Sequence, residues 1–270
     1  MNPVRHLWTL IEPLHAVTYF APEARAAYEE VGLRGFWRGY FAGRAAPLGA
    51  VTAAPVTALF FGFAPRMVER ALPDIWSRIS PADALRCREA GAASALRSHG
   101  TTTEAADLLW AAASGARTSG RALAAANAAL PAPEDPHARL WLATTVLREH
   151  RGDGHVTALV TNGVDGCEAL VWRDAIDGLR GELQGNRGWT DEEWDAARQR
   201  LAARGWVDGD GRATAAGRAA HARMEELTDE LAAQPWAGTD TERLVALLTP
   251  AAEALHRVIP YPNAMGLPRG

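Results

Sequence analysis

A chain of 270 residues, 48% of them hydrophobic, is long enough to bury a sizeable core. All 28 basic residues are arginine, so Schiff-base catalysis by a lysine and the lysine of a phosphate-binding loop are excluded. The net charge of −4 gives no reason to expect a nucleic acid or an anionic membrane as partner.

The first part of the chain is predicted to be helical throughout. Its residues are rich in alanine and poor in β-branched side chains, which favours α-helix. Periodic apolar residues predict a first helix at 3–20, which Pro13 should kink or divide. Further helices are expected at 22–31, 55–71, 81–98, 101–113 and 116–130. The proline-rich stretch 131–136 then predicts a linker that closes an N-terminal domain at 1–130.

The second part resembles a winged helix. A helix at 137–150, a glycine loop at 151–154 and helices from 155 to 184 precede the segment 189–217. There Thr190 is a good N-cap, and Trp194 and Leu201 share one helical face. Two short strands joined by a tight turn predict a small β-wing near 206–214. The sequence thus predicts an all-α fold with winged-helix-like modules, a domain at 137–258 ending in helices at 215–233 and 240–258, and an apolar tail at 259–270 that packs back on the body.

The charge of the winged segment argues against DNA as a partner. Between Trp189 and Pro235 there are ten acidic residues and six arginines, which leave a net charge of −4. Non-specific DNA affinity comes mostly from neutralising phosphates, so DNA binding is not expected. The uncharged stretch 45–65 is broken by prolines and glycines and predicts no membrane span. Two distant cysteines without metal spacing are typical of a cytoplasmic protein.

Several motifs together resemble a known family. They are LWTLIEPLHAVTYF (7–20), GFWRGYFAGRAAPLG (35–49), REHRGDGHVTALV (148–160), the winged segment and IPYPNAMGLP (259–268). This set is similar to the SalK-type helix-turn-helix family of actinobacterial proteins, members of which occur in or near polyketide and polyether biosynthesis clusters. The resemblance implies a winged-helix-containing protein associated with secondary metabolism. It implies no reaction, and its helix-turn-helix label describes a fold.

One chemical hypothesis is a metal site. Glu12–His15 and Glu253–His256 each place a carboxylate and an imidazole on one helical face, as in di-iron bundles. Iron, manganese or zinc would be the metal. The two further carboxylates of such a site are not visible in the sequence, so ordinary helix surface is the alternative.

A second hypothesis places acid–base chemistry in a helical pocket. Asp153 and His155 could form a general acid–base pair, with His15 as a further catalytic candidate; the alternative is that Asp153 caps a helix. An arginine beside aromatic residues suits a carboxylate or planar ligand, and ordinary core packing is the alternative. The expected ligand-binding side chains are Tyr19, Trp37, Tyr40, Arg44 and the tail residue Asn263.

These patterns leave three classes of function open. The first is a small-molecule-binding protein or enzyme of secondary metabolism that uses acid–base or metal-assisted chemistry. The alternatives are a winged-helix transcriptional regulator and a non-catalytic interaction module. A small molecule is the expected partner, no membrane is expected, and a homodimer is one alternative for the oligomeric state.

Overall fold

A computed structural model describes residues 2–267, and within this range the regular structure is helical. The predicted all-α architecture is therefore confirmed. The α-helices, in chain order, are α1 (Pro3–Phe20), α2 (Pro22–Glu30), α3 (Phe36–Ala45), α4 (Ala53–Phe60), α5 (Pro65–Glu69), α6 (Pro81–Arg97), α7 (Thr103–Ser114), α8 (Ala122–Ala128), α9 (Pro136–Thr161), α10 (Gly166–Asp177), α11 (Arg180–Arg187), α12 (Asp191–Ala203), α13 (Ala215–Ala232) and α14 (Thr241–His256). Short 3₁₀ turns occupy Ala46–Leu48, Asp74–Ser77 and Gln234–Trp236.

Helix α1 shows how local sequence sets an element. The Asn2 side chain accepts the backbone N–H of Val4 at 2.9 Å, and Pro3 supplies a helical φ at the first position. The helix continues through Pro13 and is not divided there, while a kink at this proline stays a prediction. The buried face of α1 packs against α9 and α14, and this burial offsets the hydrogen bond that proline removes.

Three hydrophobic cores hold the helices together. The first joins α1, α6, α7 and α14 to the first half of α9. The second gathers α2, α3, α4 and α5 around aromatic side chains and includes Ile259 of the tail. The third joins the end of α9 to α10, α11, α12 and α13. Helix α9 therefore contributes to both the first and the third core. Whether the chain divides into domains at 131–136 stays a prediction.

The glycine loop predicted at 151–154 is wrong, because α9 runs through it without a break over 26 residues. Two glycines disfavour helix locally by about 1 kcal/mol each. Close packing overrides this preference: a Cβ atom at Gly154 would lie 2.6 Å from Arg121 Nη1 and 3.3 Å from Leu231 Cβ. Helix α13 approaches α9 at this glycine. Gly152 lacks a side chain and so leaves space beside α9.

The predicted β-wing is also wrong. Among residues 2–267 no β-strand forms, and the segment 206–214 contains one isolated antiparallel bridge between Val207 and Ala213. The Asp208 carboxylate accepts the backbone N–H groups of Asp210 and Arg212 at 3.0 and 2.8 Å, and the N–H of Ala213 donates to Ala175 on α10. The Asp208 side chain thus takes the N–H of Arg212, and α13 begins at Ala215, so the bridge does not extend into a ladder.

Helices α11 and α12 form a helix–turn–helix unit. Gly188, with a φ of +79°, begins the three-residue turn between them. A capping box of Thr190 and Glu193 starts α12, and Trp194, Ala197 and Leu201 are its buried face, as predicted. Across the described residues, no helix is both long and apolar enough to cross a membrane.

Candidate functional site

A cavity of about 610 Å³ lies between the second and third cores. Its walls come from α1, α3, α4, residues 148–159 of α9, α10, α13 and the tail residues 265–267. Gly152 faces this space, and the residue after α4, Phe61, lines it with a φ of +55°. A bulky side chain with positive φ is a backbone outlier, and such outliers concentrate at functional sites.

A buried ionic network forms one wall. Arg44 donates from Nε and Nη2 to the two carboxylate oxygens of Glu149 at 2.9 and 3.0 Å, and Arg148 donates to Glu149 Oε2 at 3.0 Å. Arg148 also lies 3.6 Å from Glu12, which accepts from the indole of Trp8. Burial alone would raise the pKa of Glu149, but the charges of Arg44 and Arg148 hold it well below its usual range. The network contains two cations and two anions.

A second network lies where α1 meets α9 and α13. Arg5 lies 3.1 Å from Glu225 and 2.8 Å from Asp229, while Arg151 lies 3.1 and 3.4 Å from the same two carboxylates. The Arg151 guanidinium stacks over Trp8 at 4.4 Å. Here too the charges balance, with two arginines against two acids. Arg151 Nε is buried and has no hydrogen-bond partner among residues 2–267.

Arg187, the last residue of α11, differs from the other arginines of the cavity. It is 7% exposed and donates to the carbonyl oxygen of Ala264 at 2.6 Å. Its guanidinium lies 4.8 Å from the ring of Phe63 and 5.7 Å from that of Trp37. Within residues 2–267 no carboxylate lies within 4.0 Å of it. Burial lowers the pKa of Arg187 to about 10, and the charges of Arg44, Arg173 and Arg148 act in the same direction.

The predicted catalytic pair Asp153 and His155 lines the cavity, but each side chain has its own partner on a different element. Asp153 Oδ2 accepts the backbone N–H of Ala124 at 3.0 Å and so caps the start of α8. Burial raises the pKa of Asp153 to about 6. The alternative interpretation of Asp153 as a cap therefore has direct geometric support, although the capped helix is α8.

His155 contacts α13 instead. Its Nδ1 lies 3.1 Å from Thr228 Oγ1 and 3.7 Å from Glu225. Because the Thr228 hydroxyl donates to the carbonyl of Met224, its oxygen is free to accept from His155 Nδ1–H. Burial lowers the pKa of His155 to about 4, so the ring is neutral at pH 7. This tautomer leaves Nε2 with a lone pair.

His15 and Tyr19 lie behind the cavity wall. The Thr145 hydroxyl donates to the carbonyl of Trp141, so its oxygen accepts from His15 Nδ1 at 3.0 Å, and Tyr19 donates to Nε2 at 3.1 Å. Burial lowers the pKa of His15 well below its usual value. Both ring nitrogens are engaged by protein groups, which leaves neither for a substrate or a metal in this arrangement.

The predicted ligand-binding side chains fall into two groups. Tyr40 and Arg44 line the cavity, where Arg44 Nη1 donates to the Tyr40 hydroxyl at 2.9 Å. Trp37 packs edge-on against Phe63 in the aromatic core. Asn263 folds the tail, since its Oδ1 accepts the N–H groups at 265 and 267 at 3.0 and 3.1 Å.

The two carboxylate–histidine pairs are not brought together. Glu12 is buried at the cavity, whereas Glu253 is exposed on α14, and His256 Nδ1 lies 2.8 Å from the hydroxyl of Tyr261. In the part of the chain that the structure describes, no group of three or more His, Cys, Asp or Glu side chains could hold a metal ion.

Sequence reasoning missed Arg187, Glu149 and Glu225 as parts of this site. Glu149 lies in the motif at 148–160, but its partner Arg44 is 105 residues away. Arg187 sits beside the turn of the helix–turn–helix unit, where an arginine is ordinarily a surface residue. No local pattern distinguishes it.

The surface of α12 has few free cations for phosphate. Arg200 lies 2.6 Å from Asp165 and 3.0 Å from Glu168, and Arg198 lies 3.3 Å from Asp195. At the start of the helix, Glu193 is held by Arg66. The arginines of α12 are thus engaged in ion pairs within the protein.

Comparison with known sequences shows which family the chain belongs to. Searches of curated proteins and of solved structures gave no match. The sequence model of a helix-turn-helix family matches residues 4–262, which include the helix–turn–helix unit and the helices that wall the cavity. Because the match covers nearly the whole chain, the protein belongs to this helix-turn-helix family.

Proposed function

We propose that the protein binds a small organic molecule in the cavity between its second and third cores. The observation that carries this proposal is a space of about 610 Å³ walled by buried ion pairs and aromatic rings. A cavity of this size is typical of small-molecule sites. Buried charges are costly to maintain, and they concentrate where a site needs fixed polar groups.

His155 gives the cavity a neutral imidazole whose ring is oriented by Thr228 and Glu225. Because its pKa is lowered to about 4, it is a weak base at pH 7 and is better suited to accept a hydrogen bond through Nε2 than to remove a proton. An enzymatic activity would use this histidine rather than a pair with Asp153. The association with natural-product pathways rests on the resemblance to the SalK-type family, and it would make a pathway intermediate the ligand.

A cavity-filling variant tests the proposal. Gly152 lines the space, and a Cβ there meets Glu149 Oε2 at 3.6 Å and Arg148 Nη1 at 3.9 Å, both ordinary contacts. Gly152→Leu should therefore fold and fill part of the cavity. We expect it to weaken binding of the fluorescent probe anilinonaphthalene sulfonate at least tenfold.

Gly181→Leu is the matched control, because Gly181 is also a helical glycine and has open space around it. It should leave the affinity for the probe unchanged. Equal affinities for the probe in the wild-type protein and in Gly152→Leu would contradict a ligand site in this cavity.

A DNA-binding regulator is the second candidate function, and the family match favours it. Selection from randomised 30-base-pair duplexes, followed by gel shift from 50 to 200 mM salt, tests it. A regulator that reads DNA with α12 should lose binding in Gln199→Glu, since Gln199 is exposed on that helix, and keep it in Ser94→Glu on α6. Absence of a salt-dependent shift at 50 mM would remove this candidate.

A further inference from the structure

One arginine of the cavity differs from the others in the charges that surround it. Six arginines line the space: Arg5, Arg44, Arg148, Arg151, Arg173 and Arg187. In the described part of the chain, the first five lie within 4.0 Å of a carboxylate. Arg187 has none, so it is the one lining arginine in this part of the chain without a carboxylate beside it.

The surroundings of Arg187 compensate its charge only in part. Phe63 and Trp37 make cation–π contacts with the guanidinium, and the carbonyl oxygen of Ala264 accepts from one of its five N–H donors. Burying a charge without a counter-ion destabilises the folded protein. A negatively charged ligand group at this position would recover that cost.

The chemistry of the wall narrows the ligand class. A single arginine without an adjacent carboxylate suits a monoanion, whereas a phosphate dianion would meet the carboxylates of Glu12, Asp153 and Glu225, which also line the cavity. A guanidinium binds a carboxylate through two parallel N–H donors. Beside it, the rings of Tyr40, Phe60 and Phe63 line the cavity and give it an aromatic wall that suits a planar ring.

We propose that Arg187 receives the carboxylate of an aromatic carboxylic acid bound in the cavity. This inference rests on the proposed ligand-binding function and adds the class of ligand. It also replaces Arg44 as the expected carboxylate receptor, because the Nε–Nη2 edge of Arg44 is taken by Glu149 and its Nη1 donates to Tyr40.

Matched pairs of probes test the proposal: benzoate, 2-naphthoate and 9-anthroate against their neutral carboxamides, titrated calorimetrically into the full chain. Each pair differs mainly in charge, so the ratio of affinities isolates the contribution of the anion. The wild-type protein should prefer the carboxylate of the best-fitting pair about tenfold or more. In Arg187→Gln this preference should disappear, while the carboxamide still binds.

Loss of the tail contact is the competing explanation, and Asn263→Ala controls for it. This variant removes the hydrogen bonds that fold residues 263–267 but keeps the charge of Arg187. It should change the two affinities of a pair together and leave their ratio intact. Circular dichroism and thermal melting establish that each variant is folded.

The outcomes separate the two proposals. Equal binding of carboxylate and carboxamide, or an unchanged ratio in Arg187→Gln, overturns the assignment of Arg187 while a ligand cavity stands. Binding of none of the six probes at millimolar concentration counts against the cavity as a ligand site, and with it against the assignment.

Discussion

Glu149→Gln should be among the most destabilising single changes of charge in this protein. The carboxylate is 1% exposed, and it accepts three hydrogen bonds from Arg44 and Arg148, whose side chains are 11% and 16% exposed. Glutamine keeps the shape but offers an NH₂ group to one of the guanidinium donors. It leaves two buried cations with only Glu12 nearby, and we expect a loss of about 3–5 kcal/mol in the free energy of unfolding.

The matched control is Glu193→Gln. Glu193 also binds one arginine, Arg66, through both carboxylate oxygens, but the two side chains are 37% and 43% exposed. Exposed pairs contribute at most about 1 kcal/mol. Urea denaturation at pH 7 compares the two variants with the wild-type protein. A cost for Glu149→Gln no larger than that for Glu193→Gln would refute the argument from burial.

Acid titration gives a second check on the same residue. Because the pKa of Glu149 is held below its usual range in the folded protein, its contribution is fully present above the unfolded value, about 4.3. It is lost as the pH falls through the folded value. The difference in stability between wild-type and Glu149→Gln should therefore shrink steadily below about pH 4.3. Adding Arg44→Met to Glu149→Gln should restore part of the loss, since it removes one unpaired cation.

Two further predictions concern helix α9. Gly154→Ala should cost about 1–2 kcal/mol in unfolding free energy, because the new Cβ displaces the Arg121 guanidinium from the carbonyls of His150 and Leu231. Gly181→Ala, in open space, should instead gain up to about 1 kcal/mol. Equal effects of the two variants in thermal melts would contradict the close approach of α9 and α13. Burial raises the pKa of Asp153 to about 6, so the folded protein keeps this proton to a higher pH than the unfolded chain does. The wild-type protein should therefore lose roughly 2 kcal/mol of stability relative to Asp153→Asn as the pH rises from about 4 to 6. Parallel pH profiles of the two proteins in urea denaturation would count against this prediction.

Local signals predicted the helices well where the cause is local. The N-cap at Thr190, the proline at position 3 and the apolar face of α12 each act within a few residues. The loop assigned to 151–154 failed because glycine was interpreted through propensity alone. Gly154 allows close packing between α9 and α13, and local patterns in one sequence do not reveal which helices meet.

The same limit applies to the site. The sequence drew attention to Arg44, Asp153 and His155, and all three line the cavity. Their roles depend on partners 105, 29 and 73 residues away, which no spacing reveals. A carboxylate expected to act with His155 caps α8, and an arginine expected to bind ligand is neutralised by Glu149.

The two candidate functions need a free arginine in different places: DNA binding needs it on the surface of α12, and ligand binding needs it in the cavity. In a chain without lysine, every cation that could bind an anion is a guanidinium, and most of these already serve acidic residues of the protein itself. On α12, Arg198 and Arg200 lie beside acidic side chains, whose negative charge opposes a negatively charged partner there. Arg187 lies beside the turn of the same helix–turn–helix unit, lines the cavity and has no acidic partner among the described residues. The position with the strongest physical reason to bind an anion is therefore inside the protein, and it can hold a small molecule but not a duplex.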